Sequence, residues 1–241
     1  GLRVHLRLDG ERGAGLWSSD LTLSRDEAYR VAEQVAAAVQ EAASISRSDR
    51  WPDALPFTTL QAYLQARTEL RERRPGFRQR LMDASAEVVR AEPDFARGQA
   101  IRADACLFAA GFALPPEGKR NLQCAREAVA RALAIDPDLA EARAAAGLLA
   151  LTEAHNCFDG CPGSQWHSAA QRSLERAVRL DPTLLEARIW LANTYDEIGD
   201  LTRAAEQREA AVALDPLSPI ANFHMNNVLL ARGERDRVRD R

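Results

Sequence analysis

Near the amino terminus Val4, Leu6 and Leu8 alternate with polar neighbours, and Leu16–Leu23 is a second candidate strand beyond a turn at Asp9–Gly15. A period of two lines one face of a half-buried strand. The period then lengthens. From Ser24, with Asp26 and Glu27 in the first turn, Ala28, Val31, Val35 and Val39 mark one face of a helix running to about Ser44. Ile45–Pro56 carries Ser, Asp and two Pro and reads as a linker. A lone hairpin with one helix is marginally stable, so residues 1–44 are expected to belong to a larger α/β unit.

From residue 57 onward the pattern is helical and repeats itself. V-R-A-E-P at Val89–Pro93 is followed by A-L-A-I-D-P at Ala132–Pro137, A-V-R-L-D-P at Ala177–Pro182 and A-V-A-L-D-P at Ala211–Pro216. The prolines stand 44, 45 and 34 residues apart. The last interval is the period of the tetratricopeptide repeat (TPR), a helix–turn–helix unit that stacks into a superhelix. Each proline sits just past a helix end, where its missing N–H cannot continue the ladder. Small residues recur five and twelve residues before the last three prolines: Ala132, Ala177 and Ala211, then Ala125, Ala170 and Ala204. Ten residues after the prolines come Ala103, Gly147, Ala192 and Asn226. Close helix crossings need small side chains at fixed turns. The phase predicts helix pairs at about 57–91, 95–134, 139–179 and 184–213, then a fifth first helix from about 218. In the first pair Leu81 and Val88 stand where later pairs carry small residues. The fold expected is therefore mainly α, a superhelix of about four and a half pairs over 57–241. It follows a partial α/β domain at 1–44 and a linker at 45–56.

Composition sharpens this picture in two ways. Apolar residues make up 46% and charged residues 28% of 241, ordinary for a globular protein. The 45 alanines and a basic set that is all Arg except Lys119 favour closely packed helices. A formal charge of -3 gives no global basic field for DNA or anionic lipid. No run approaches the roughly 18 apolar residues of a membrane span, and no signal peptide is read at the start. Arg232–Arg241 holds five Arg but also three acids, so it reads as the solvated start of the fifth pair's second helix.

The segment R-V-H-L-R-L-D-G-E-R-G-A-G-L-W-S-S-D, followed by the helix at Asp26–Ala43, resembles the final hairpin and helix of the TolB-like amino-terminal domain. Leu8, Asp9, Gly15, Leu16 and Trp17 carry that likeness. Thr58-Thr59 with Ala62, Tyr63 and Leu64 resembles the segment joining that domain to its first TPR. Pro93-Asp94-Phe95-Ala96 with Ala103-Asp104-Ala105 is similar to that family's first repeat. The arrangement resembles CadC-like membrane-tethered transcriptional regulators, and a sister architecture carries a class III adenylate cyclase. The resemblance implies a periplasmic sensor region, with the cytoplasm as the alternative. A winged helix, a cyclase or a membrane tether would lie outside this chain.

Candidate chemistry is densest in H-N-C-F-D-G-C-P-G-S-Q-W-H. Its His155, Cys157, Cys161 and His167 are zinc-ligand types, whereas Cys157 and Cys161 alone could close a disulfide, or the turn could be inert. Cys106 and Cys124 lie on the two helices of the second pair, as small buried hydrophobes or as a bridge if their Cα atoms come within about 7 Å. For a partner, the surface expected is the concave face lined by the first helices. Asn193 and Asn227 share a repeat position, and their amides could grip the main chain of a peptide. Asp104 stands at the same position in an earlier pair. Trp190 and His224 share another position, with Phe223 beside them, as an aromatic floor. No G-x-S-x-G, Walker loop, H-E-x-x-H or G-x-G-x-x-G occurs, so neither an enzyme nor a cofactor is expected. The expected function is a sensory or protein-interaction region that binds a peptide, protein or small effector, with homodimerisation as one response. The alternatives are a non-signalling scaffold and the regulatory region of a cyclase.

Overall fold

The computed structural model describes residues 2–9, 15–23, 55–111, 113–114, 116–155 and 163–231. Two strands, β1 (Leu2–Asp9) and β2 (Gly15–Leu23), pair antiparallel with Val4 opposite Leu21 and Leu8 opposite Trp17. The helix expected over 24–44, the linker up to residue 54, the Cys157–Cys161 bridge and Arg232–Arg241 lie outside the described residues.

Nine helices follow among the described residues: α1 (Phe57–Glu72), α2 (Phe77–Ala91), α3 (Ala96–Ala110), α4 (Glu117–Ile135), α5 (Ala140–His155), α6 (Gly163–Leu180), α7 (Leu185–Glu197), α8 (Leu201–Leu214) and α9 (Pro219–Ala231). They form four antiparallel pairs and a fifth first helix, in the phase set by the prolines. The extra residues of the longer proline intervals go into the helices as well as the turns: α3 and α4 have 15 and 19 residues and α5 and α6 have 16 and 18, against 13 and 14 for α7 and α8.

The turns between pairs follow one recipe. Asp136, Asp181 and Asp215, each just before its proline, accept a hydrogen bond from the backbone N–H two residues on, at 3.1, 2.8 and 3.2 Å. An Asp side chain bonded in this way mimics a backbone turn, which explains the Asp-Pro spelling. A second device reaches back from the next helix. Six residues after each proline, a side chain donates to the proline carbonyl: Gln99, Arg143, Arg188 and Asn222, at 2.8, 2.9, 2.9 and 2.8 Å. Proline lacks a donor but keeps its carbonyl, and this bond satisfies it while fixing the angle at which the helix departs.

The seams between helices are packed through small residues. Ala103, Ala125, Ala132, Ala170, Ala177, Ala192 and Ala204 are all fully buried, and Ala211 nearly so. Gly147 lies so close to Leu174 that an added Cβ would meet its Cγ at 2.4 Å. In the first pair the large Leu81 and Val88 are themselves fully buried. Their bulk is met by a small residue from the next helix, since a Cβ on Gly98 would fall 2.6 Å from Val88 Cγ1. The period is therefore kept by alternating sizes across each crossing rather than by alanine at every site. α3 is buried on most of its circumference, from Arg97 through Ala110. Such a helix must be apolar or small nearly all round.

Cys106 on α3 and Cys124 on α4 form a disulfide, with Cα atoms 6.0 Å apart. Of the two readings open for this pair, the bridge is the one present. Among the described residues no helix is long and apolar enough to cross a membrane.

Candidate functional site: the inner groove

The first helices of successive pairs line a cavity of about 660 Å³. α1 forms one wall through Tyr63, Leu64 and Arg67, and the floor comes from Ile101 and Asp104 of α3 and Glu141 and Ala144 of α5. The opposite wall is the start of α7, with Glu186 and Trp190, and the α8–α9 turn at Leu214 and Asp215. Arg71 donates to the Asp215 carboxylate at 3.1 Å across a sequence separation of 144 residues. Arg97, almost fully buried, pairs with Glu141 on the neighbouring first helix.

A chain of rings passes through Trp190, the one member of it that lines the cavity. Phe77 meets Phe108 edge-on with centroids 5.8 Å apart, and Phe108 meets Trp190 at 6.1 Å. Trp190 in turn meets His224 at 6.2 Å, and His224 meets Phe223 at 5.5 Å. The sequence-expected floor of Trp190, His224 and Phe223 is thus one end of a longer ladder that includes Phe77 and Phe108. Phe223 is 58% exposed at the open end. Burial, reinforced by the cations Arg208 and Arg73, holds the His224 imidazole down at about 4, so it is neutral at physiological pH.

Arg73 is the unexpected occupant. It ends α1 in the left-handed conformation, φ 48°, and its Nε donates to the Leu70 carbonyl at 3.0 Å. That backbone turn swings the guanidinium over the Phe108 ring, 4.5 Å from the centroid and 5.7 Å from that of Trp190. Cation–π contacts of this kind gain strength when desolvated, as here. Its charge also acts on Asp104 of α3. Burial pushes its carboxyl well above the usual range, Glu186 pushes the same way, and Arg73 pulls it back.

The remaining sequence candidates take other positions. Asn193 does not line the cavity; its Oδ1 accepts from Arg208 Nη2 at 3.4 Å, and Arg208 also forks onto Asp196. Asn227 is exposed on α9. His155 and His167 both reach Glu197 of α7, with Nε2 at 3.0 and 2.7 Å from its two oxygens. Cys157 and Cys161 lie outside the described residues, among which no group of three or more His, Cys, Asp or Glu is arranged to hold a metal ion. Glu197 and Arg73 were missed by sequence reasoning, and so were Glu141 and Glu186. The last two carried a signal: with Arg97 they stand four residues after successive prolines, a slot that faces the groove.

No family model and no curated protein matches the chain. Solved structures do. TTC0263, a thermophilic TPR protein of Thermus thermophilus, is 21% identical with a TM-score of 0.55, covering 86% of this chain and 100% of that one. IFIT1 bound to Gppp-AAAA is 17% identical with a TM-score of 0.51, over 84% of this chain and 51% of that one. PilF of Pseudomonas aeruginosa is 16% identical at a TM-score of 0.48, over 76% and 74%. At such identities the likeness is one of fold, and the helical part of this chain is a TPR-type solenoid.

Proposed function

We propose that this chain is a protein-interaction region that binds an extended segment of a partner protein along its inner groove. The observation that carries this reading is the cavity of about 660 Å³, walled by first helices, floored by charged groups and bordered by Trp190. A groove with a few fixed polar groups among apolar walls is the usual form of a binding site. Extended peptides need such fixed groups because their own ordering costs free energy.

A finer reading makes this the sensor of a membrane-tethered regulator. The hairpin of β1 and β2 supports it, because it falls where the chain resembles the TolB-like domain. The Cys106–Cys124 disulfide supports a periplasmic location, since thiols in a reducing cytosol stay unpaired. Ligand binding would act on the parent protein by favouring one solenoid curvature or one association state, through differential affinity for the two. A plain assembly scaffold would use the same groove without an output.

Photocrosslinking in cells tests the binding reading. A benzoylphenylalanine in place of Leu64, which is 51% exposed on the groove wall, should give a discrete adduct. The same probe at Leu114, 83% exposed in the α3–α4 turn, should give none. Trp190→Glu should abolish the Leu64 adduct. Equal adducts from both positions would refute a groove-directed partner.

A further inference from the structure

We infer that the groove contains a subsite for a basic side chain, so that the bound segment carries an Arg or Lys flanked by apolar residues. This deepens the binding reading above and rests on it. Arg67, 6.0 Å from the centroid of the Tyr63 ring, and Asp181 also line the cavity, and its other charges fall into two kinds. Glu141 and Asp215 are matched by Arg97 and Arg71. Asp104 and Glu186 also line the cavity, yet neither takes a hydrogen bond or an ion pair from another described residue. Asp104 on the floor and Glu186 on the facing wall repel, Arg73 offsets that repulsion only in part, and a cation entering between them relieves both.

The aromatic wall points to the same chemistry. The faces of Phe108 and Trp190 already hold one guanidinium, that of Arg73, which lies outside ion-pair distance of either carboxylate. Arg73 is held there by its left-handed backbone and its bond to Leu70, so it acts as an internal stand-in. Beside it Trp190 faces the cavity together with Leu64, Leu184, Leu185 and Leu214. A guanidinium or ammonium between a ring face and a carboxylate, with apolar neighbours on either side, meets complementary groups at every point. An acidic segment meets like charge instead.

Capped pentapeptides supply the probe: acetyl-Ala-Leu-X-Leu-Ala-amide with X as arginine, its neutral isostere citrulline, or glutamate. By titration calorimetry at pH 7 the arginine peptide should bind about tenfold more tightly than the citrulline peptide. The glutamate peptide should be weakest. Asp104→Asn combined with Glu186→Gln should bring the arginine-to-citrulline ratio near one while leaving citrulline affinity in place. Arg73→Met, which removes the internal cation, should tighten the arginine peptide a few-fold. Circular dichroism verifies the fold of each variant, and Glu186→Gln alone, at a half-exposed position, provides a milder version. Equal affinity for arginine and citrulline peptides overturns the subsite, and so does an arginine preference that survives in the double variant. Absence of binding by all three also overturns it, whereas the Leu64 crosslink decides separately whether the groove binds a partner.

Discussion

The seams between helices and the groove they enclose are built on opposite rules. At the seams, Gly147 against Leu174 and Gly98 against Val88 leave no room for one further carbon. In the groove, Asp104 and Glu186 border about 660 Å³ of open space without an ion-pair partner among the described residues. The seams are close-packed and recur with the prolines; the groove is charged and roomy. The contrast separates what maintains the solenoid from what the solenoid presents. It also shows where an electrostatic cost remains, since Arg73 offsets the burial of the Asp104 carboxyl only in part.

Four perturbations test that division, and the largest acts where the two regions meet. Glu141→Gln removes the charge that compensates the nearly buried Arg97 guanidinium between α3 and α5. Losing one partner of a buried pair costs about 3–5 kcal/mol, which urea unfolding should register as a lower midpoint at unchanged slope. Next comes the seam itself. Gly147→Ala forces a methyl against Leu174, and overpacking of this kind costs about 1–3 kcal/mol. If that variant is as stable as the parent, the seam has slack and the contrast with the groove weakens.

The smallest effect should have the opposite sign. Asp104 binds its proton more tightly folded than unfolded, because burial raises its carboxyl above the ordinary value of 3.8. Stability from this group therefore falls as pH rises from the ordinary value through the raised one. Asp104→Asn should raise the melting temperature by a few degrees at pH 7 and leave it unchanged at pH 3. His224 runs the other way: its folded value near 4 lies below the unfolded 6.5, so stability is lost as pH falls between them. Melting curves of His224→Phe should exceed the parent's at pH 5 and converge with it at pH 7.

The seams were legible in the sequence because packing repeats. Proline marks the turn, and the small residues five and twelve positions before it and ten after it fall on buried crossings, from Ala103 to Ala211. The prolines also carried an unread regularity, the donor six residues on, which changes identity from Gln to Arg to Asn while keeping its role. A search for identical letters passes over a slot that repeats only in hydrogen-bonding capacity. Of the residues the sequence put forward for the groove, Trp190 and Asp104 line the cavity, whereas His224, Phe223, Asn193 and Asn227 do not. What the groove lacked was periodicity: Arg73 reaches Phe108 and Trp190 from the end of α1, and such contacts join residues of unlike repeats. Asn193 illustrates the reverse, since its shared slot with Asn227 says nothing of Arg208, a cation on the adjoining helix that engages its oxygen.

The link between Arg71 and Asp215 has a consequence for the timing of synthesis. Solenoids can assemble repeat by repeat as the chain emerges, each unit docking on the last. Here the first helix waits for a residue made 144 positions later, on the order of ten seconds at ribosomal speed. Until then the early repeats stand as a trough with one side missing, and Arg71 faces only water. If the proposed partner needs both walls, its recognition begins after the α8–α9 turn has left the ribosome.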